Sequence, residues 1–579
     1  MLRKLFIAAV LAALAAAVVS SAAVGRSGQE SVSTSLLVPG MTYTREVDFT
    51  SRGPIVFDVV TAPRPDGKLF SLAPALSNGA LVGKETLTHL ESRVAPGTTS
   101  VAIDGDYFDS NGAPKGIFLQ NGVLSSAPGT GRSSLGITPA GTLTTGHVSF
   151  AGIWQGKALR RPLVFNPPAA QGKFALYTPA YGPATPRERG VLEAVIGTLP
   201  TAKLDAPLDG TVARVANGGP TAIPAHGAVL VARGAASIAQ LKAEAPVGEQ
   251  VEIVLSLSPD WSSLAGAIGG GPLLVRNGKP IFHAGESFQA KQLNTRQPRG
   301  AIGQLADGRI VLVGVEGSKP SYSIGMSSYE LAVELSQLGA VTAFGLGAGP
   351  AAGLAFDGKL LTRPANGLTP KVSDALVLSY SGVYAAPPAT PVLSPNGDGV
   401  GDSETFWFRV ARPSKVVATL SGPNGAKATL ANGSEAPGLH VLGWNGTIGA
   451  SLAAEGKWTF TVTATDDRGV TTSAQRTFSL DDTLSSLAVA TGADRLPTAS
   501  FRLTRQATVL VQIQRRNGVA VATLERGVRQ AGPERVTWHG RGNRHRAPSG
   551  RYEVAVQATS SVGTSSLAAP FTYRSPRRH

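Results

Sequence analysis

The chain has 579 residues, no cysteine, and 53 lysines and arginines against 38 acids, a formal net charge of +15. That length is too great for one compact core, and the lack of cysteine excludes thiol nucleophiles, disulfide staples and cysteine-ligated zinc. The positive excess forms no dense groove-like stripe, its clearest concentration being C-terminal at Arg541, Arg544, His545, Arg546, Arg574, Arg577 and Arg578. No nucleic-acid partner is therefore expected; such a tail suits either a solvated surface or an anionic envelope polymer.

In chain order, residues 1–23 read as a signal peptide. Arg3 and Lys4 precede an unbroken apolar run from Leu5 to Val19, and Ser20-Ser21-Ala22-Ala23 offers small residues for cleavage. A run of about 15 apolar residues is short for a bilayer span. No later stretch is more apolar, so the mature chain is expected to lack a transmembrane segment and to be secreted, extracellular or envelope-associated.

Residues 30–384 read as one α+β domain, a mixed β-sheet with packed helices. Ile55 to Val60 is strand-like. Gly83 to Val94 reads as a helix with Leu87, Leu90 and Val94 on one face, and the strand Val101-Ala102-Ile103 follows, running into Asp104-Gly105-Asp106-Tyr107-Phe108-Asp109. The rhythm returns at Ser327-Ser328-Tyr329-Glu330, a capping box, with Leu331, Leu335 and Leu338 as the buried stripe and Gly339 as the stop. Val341 to Phe344 is then a strand ending at Gly345-Leu346-Gly347-Ala348-Gly349.

A Pro-rich linker is expected over 385–391. Beyond it Trp444-Asn445-Gly446 matches Trp538-His539-Gly540, and Gly456-Lys457-Trp458 matches Gly550-Arg551-Tyr552, each 94 residues apart. Two all-β, Ig-like sandwiches follow from this repeat, over 392–482 and 483–576.

No HExxH, Walker A or GxSxG occurs, and the eight histidines lack metal spacing. No organic cofactor is expected. What remains is an ordered series of segments: Asp104 to Asp109 with Gly112, Pro114 and Gly116; Asn121-Gly122; Arg132-Ser133-Ser134-Leu135-Gly136-Ile137; Gly269-Gly270-Gly271-Pro272-Leu273-Leu274-Val275; Arg296-Gln297-Pro298-Arg299-Gly300-Ala301-Ile302-Gly303; and Val372-Ser373-Asp374-Ala375-Leu376. In this order they resemble the phosphodiester glycosidase family over about residues 70 to 380.

The resemblance implies hydrolysis of a sugar phosphodiester or an anionic envelope glycan. A sugar phosphate leaves readily, its charge suits a bidentate guanidinium, and carboxylates stabilise the oxocarbenium-like centre or activate water. The residues so assigned are Asp104, Asp106, Arg299 and Glu316 as catalytic, with Tyr107, Phe108, Arg296, Gly347 and Asp374 binding substrate. Ordinary loop chemistry is the alternative for Arg299, and Asx turns for the two aspartates.

The chain also departs from the family pattern. Gly347, Ala351 and Ala352 stand where it has a strand-end aspartate and two serines, Glu316-Gly317-Ser318 replaces Asp-Gly-Arg, and Asp104-Gly105-Asp106 replaces an Asn-Gly-Gly turn. Lys319 or Lys371 would have to supply lost arginine charge, as point charges. Two readings follow: an active secreted hydrolase, or a degenerate glycan- or envelope-binding protein with Ig-like spacers.

Ser394-Pro395-Asn396-Gly397-Asp398-Gly399-Val400-Gly401-Asp402 resembles the start of secreted Ig-like modules related to that of the flagellar hook capping protein. Asn396, Asp398 and Asp402 either fold around a structural Ca²⁺ or form a polar turn.

Overall fold

The computed structural model describes residues 30–167, 172–282, 285–397, 399–492, 496–543 and 545–575. The signal-peptide reading, Asp398, Arg544, Arg577 and Arg578 lie outside them.

Strands dominate. One antiparallel sheet of eight strands has the order Glu30–Val38, Met41–Thr50, Gly53–Ala62, Ile310–Val315, Arg299–Leu305, Ala340–Ala348, Leu273–Arg276 and Lys279–Pro280. A second of five has the order Lys359–Leu360, Leu354–Phe356, Thr99–Asp104, Asp374–Tyr380 and Phe70–Leu76. The two face each other across a core in which Val60, Ile302, Leu312 and Phe344 meet Val101, Ile103, Leu376 and Leu378. Leu331 and Leu335 of the Ser328–Gln337 helix cover the other face of the large sheet, against Val311 and Val313. With both faces covered, Ile310–Val315 is buried along its whole length, which explains its unbroken apolar sequence.

The expectation of a mixed sheet is corrected, and helices are few beside the strands. Every pairing in these two sheets is antiparallel. The Ser328–Gln337 helix carries the chain from Ile310–Val315 to Ala340–Ala348, but Arg299–Leu305 lies between them and pairs with both. A helix-then-strand rhythm thus arises without a parallel neighbour. Among the described residues the α-helices are Leu87–Val94, Ala235–Glu244, Ala290–Asn294 and Ser328–Gln337, none longer than 10 residues.

Between the sheets' strands in sequence lies a closed barrel of seven strands, from Ser149–Gln155 to Gln250–Ser258. Its seam is the antiparallel pairing of those two strands, and Trp154, Phe165, Leu176 and Ile253 fill it. Burial along Gln250–Ser258 alternates strictly, the mark of strands with one wet face.

Two β-sandwiches complete the chain, one of three and five strands and one of three and four. Their contacts repeat at the offset seen in the sequence. Trp444 Nε1 donates to Thr447 O and Trp538 Nε1 to Arg541 O, both at 2.8 Å. Trp458 Nε1 donates to Ala454 O at 2.9 Å, and the Tyr552 hydroxyl to Pro548 O at 2.8 Å. Each buried ring has its polar edge satisfied, as burial requires.

The segment read as a linker is strapped to the first sandwich. Tyr384–Ala385 pairs with Glu404–Val410, and the Glu404 carboxylate accepts Ala389 N at 3.0 Å and Thr390 N at 2.9 Å. Arg409 of that sandwich ion-pairs with Asp357 and donates to Thr98 O at 3.2 Å, while Arg476 donates to Ala385 O at 2.7 Å and Leu37 O at 3.2 Å.

Candidate active site

Three aspartates meet where the Thr99–Asp104 and Asp374–Tyr380 strands reach their shared end. Ala375 pairs with Asp104, so Asp374 and Asp104 come from neighbouring strands and Asp106 from the turn that follows. All three are enclosed, with 1% of Asp104, 3% of Asp106 and 0% of Asp374 exposed. Asp106 Oδ1 accepts Tyr107 N at 2.7 Å and Oδ2 accepts Gly116 N at 2.5 Å. Asp374 Oδ1 accepts Asp106 N at 2.7 Å and the Ser373 hydroxyl at 3.1 Å. Asp104 Oδ1 accepts Gly353 N at 2.9 Å. Oδ2 of both Asp104 and Asp374 is buried without a hydrogen-bond partner among the described residues.

Glycines wrap this cluster because nothing larger fits. A Cβ at Gly105 would lie 2.4 Å from Asp374 Oδ1, at Gly269 2.4 Å from Asp106 Oδ2, at Gly300 2.5 Å from Asp104 Oδ1, and at Gly347 2.6 Å from Asp104 Oδ2. Such approaches forbid a side chain. The glycines of four separate motifs thus serve one purpose, close packing of backbone around carboxylates.

Burial raises the pKa of all three aspartates. Asp374 pushes Asp106 further up and Asp104 less so, while backbone N–H donors oppose the shift. The rise is larger for Asp106 than for Asp374, so near neutral pH the proton of this pair rests on Asp106.

Of the three, Asp106 reaches a cleft of about 610 Å³. Tyr107 and Phe108 line it, as do the cationic side chains Lys84, Lys115, Arg132 and Lys371. The Arg132 guanidinium lies 5.1 Å from the Tyr107 ring centre and 4.4 Å from that of Phe288, a cation–π contact with both rings. Its Nη1 is enclosed and has no hydrogen-bond partner among the described residues. The Tyr107 hydroxyl is pushed up to about 12 by burial, a rise eased by Arg299 and Arg132.

The expected residues are only partly brought together. Asp104, Asp106, Tyr107, Phe108, Gly347 and Asp374 gather here. Arg299 does not present its guanidinium to the cleft: Nε donates to Met326 O at 2.7 Å, and Nη2 to Gln292 O at 2.7 Å, Thr295 O at 3.0 Å and Leu293 O at 3.3 Å. The Ala290–Asn294 helix ends in carbonyls without intrahelical donors, and Arg299 satisfies them. Arg296 ion-pairs with Glu330 at the start of the next helix.

Glu316 joins a different cluster. Its Oε1 accepts Arg45 Nη2 at 3.0 Å and Arg363 N at 2.8 Å, while Arg45 Nη1 donates to Asp58 Oδ1 at 2.9 Å and the Tyr43 hydroxyl to the same oxygen at 2.6 Å. Lys319 turns toward Pro364 O at 3.4 Å, whereas Lys371 lines the cleft.

Sequence reasoning missed Arg132, Lys84 and Lys115 as cleft residues. The available signal was Arg132's place immediately before Ser133–Ile137, a strand buried along its whole length, where a charged end has to find a polar cavity.

In the first sandwich both Asp402 oxygens are committed, accepting Gly397 N and Gly399 N at 2.7 Å each. Asn396 Nδ2 donates to Ser394 Oγ and Ser566 O, each at 3.1 Å. These bonds are those of a polar turn, and Asp398, the remaining residue of the calcium expectation, lies outside the described residues.

Residues 202–379 match the phosphodiester glycosidase family model, and residues 487–561, in the second sandwich, match that of the FlgD Ig-like domain. The first match contains Arg299, Gly347 and Asp374; Asp104, Asp106 and Arg132 precede it. The SPbeta prophage-derived uncharacterized protein YomE of Bacillus subtilis (strain 168) is 32% identical over 107 residues, 18% of this chain and 16% of that protein. A hypothetical protein from Synechocystis is 26% identical with a TM-score of 0.51, over 60% of this chain and 64% of that one. A putative exported protein of Burkholderia pseudomallei K96243 shares the fold at 17% identity and a TM-score of 0.50, over 61% of this chain and 97% of that one. The chain thus spans a small part of YomE and less than two thirds of the Synechocystis chain.

Proposed function

We propose that the domain matched by the phosphodiester glycosidase family hydrolyses a sugar phosphodiester of an exported or envelope glycan, with Asp106 as its acid–base group and Arg132 as its phosphate clamp. The observation that carries this reading is the cleft, where one enclosed acid faces four cationic side chains beside an aromatic floor.

The chemistry follows from placement. The phosphate is held by Arg132 with Lys84 and Lys371, which lowers the charge it must carry away. As the bond between the anomeric carbon and the phosphate oxygen breaks, its electron pair leaves on that oxygen. Asp106, protonated at the start, gives its proton to that oxygen; water adds to the carbon, and the carboxylate so formed takes the water's proton. A carboxyl whose pKa is raised toward the working pH suits that exchange. Asp374 acts from behind the glycines, accepting the Asp106 N–H and pushing the Asp106 pKa up.

A second reading is favoured by one observation: only Asp106 of the three carboxyls lines the cleft, beside the apolar wall of Ala348, Pro350 and Ala351. Hydrolases of this general kind use two carboxyls on the scissile bond, so a cleft with one suits a glycan-phosphate binder. The methyl phosphodiester of N-acetylglucosamine 1-phosphate separates the two. Release of free sugar supports hydrolysis; saturable calorimetric binding without release supports the binder; neither overturns both.

A further inference from the structure

A second cleft, also about 610 Å³, lies on the other side of the site's own loop. Two chain segments form the saddle between the clefts. Residues 107–115 give Tyr107 and Phe108 to the first cleft and Ser110, Asn111 and Pro114 to the second, with Lys115 lining both. Residues 126–132 give Ser126 and Thr130 to the second and Arg132 to the first. The segments are locked together, since a Cβ at Gly129 would lie 2.6 Å from Lys115 O. The barrel closes the far wall through Phe165, Asn166 and Tyr181.

We infer that the second cleft is a subsite for the uncharged, hydroxyl-bearing glycan that continues beyond the phosphodiester, so that a polymer rather than a small diester is the preferred ligand. This rests on reading the first cleft as a sugar-phosphodiester site.

The contrast in charge carries the inference. The first cleft has Arg132, Lys84 and Lys371 besides the shared Lys115, and one enclosed acid. In the second, the one cation among the described residues is Lys115, and its ammonium is paired with Asp109 at 3.1 Å. A phosphate is drawn to the first and gains nothing in the second. Ser110, Asn111, Ser126 and Thr130 supply short hydroxyl and amide groups on the near wall, and Tyr181 supplies an aromatic edge, the mixture that recognises sugar hydroxyls and ring faces. Lys115, common to both, stands where the chain would cross. The barrel, otherwise remote from the acids, thereby gains a part in choosing the ligand.

The test compares three probes on the full chain: the methyl phosphodiester of N-acetylglucosamine 1-phosphate, the same phosphodiester bearing a tetrasaccharide in place of methyl, and that tetrasaccharide alone. Binding is read by calorimetry and turnover by sugar release. The tetrasaccharide diester is expected to bind about tenfold more tightly than the methyl diester, and the free tetrasaccharide to bind weakly but saturably. Ser110→Trp, at an exposed position of the second cleft, should bring the affinity ratio near one and abolish binding of the free tetrasaccharide. Equal affinities, or a ratio unchanged in Ser110→Trp with its melting temperature intact, overturn the subsite while leaving the hydrolase reading standing if the methyl diester is turned over. Tetrasaccharide binding lost in Ser110→Trp, without turnover of any diester, upholds the second cleft and removes the hydrolase. No binding of any probe overturns both.

Discussion

Asp104 occupies the volume that a side chain at position 347 would need, since a Cβ on Gly347 would lie 2.6 Å from Asp104 Oδ2. The family pattern has an aspartate at the position of Gly347; here the acid comes from the end of a strand in the facing sheet instead. The exchange explains a departure that looks like loss in the sequence alone. A carboxyl remains at this strand end, reached from the other side.

Gly347→Ala should therefore destabilise the protein by about 1–3 kcal/mol through overpacking. Asp104→Ala in the same chain should recover part of that loss, because it removes the atom being struck. A double-mutant cycle in urea would measure the coupling. Additive costs would show that the two positions do not compete for space.

Asp106→Asn should lower turnover of the phosphodiester by a factor of about 10²–10⁴. One amide donor would then face the asparagine's own NH₂ group, at a cost of about 1–3 kcal/mol. Far-UV circular dichroism and a melting curve beside the assay would separate lost chemistry from lost fold.

The two arginines should respond differently. Arg132→Lys retains charge but loses the bidentate fork and the guanidinium's contact with Tyr107 and Phe288, so KM for the diester should rise about tenfold with kcat little changed. Arg299→Ala leaves several carbonyls unpaired and should cost about 2–4 kcal/mol of stability, read as a fall in melting temperature. The reverse pattern would return the clamp to Arg299.

Stability should fall as pH rises from about 4.5 toward neutrality. Glu91 is the clearest contributor: burial lifts it from 4.5 to about 7, against N–H donors from Asp357 and Gly358 and the Ser100 hydroxyl. A carboxyl raised in the folded state binds its proton there while the unfolded chain has already released it. Its contribution is complete below 4.5 and is lost as pH passes through 7. The three site aspartates act in the same direction, while the lowered Glu85 and Glu330 act oppositely at more acid pH. Glu91→Gln should flatten the slope of melting temperature against pH between 5 and 7.

What the sequence disclosed was mostly local. The capping box forms as read, with Glu330 N donating to Ser327 Oγ at 3.3 Å and Glu330 Oε2 accepting Ser327 N at 2.9 Å, because both partners lie within four residues. Leu87 and Leu90 are buried as expected, but Val94 at the helix end is 37% exposed. The helix begins at Leu87 rather than Gly83, since Glu85–Thr86 is taken into a strand pair with Lys371–Val372. The barrel was hidden because its closing pair, Ser149–Gln155 with Gln250–Ser258, depends on register between distant segments. Arg132 and Arg299 look alike in a motif, and which one is spent on carbonyls depends on a five-residue helix whose end no periodicity marks. Glu316 was drawn elsewhere by Arg45, a partner 271 positions away in the chain.

The arginine clasps between the first sandwich and the domain bearing the cleft have a mechanical consequence. With Arg409 gripping Asp357 and Thr98 O, and Arg476 gripping Leu37 O, the face bearing the cleft keeps one bearing toward its neighbour instead of swinging on a hinge. Whatever the far end of the molecule is fastened to would then set the heading at which a polymer must arrive.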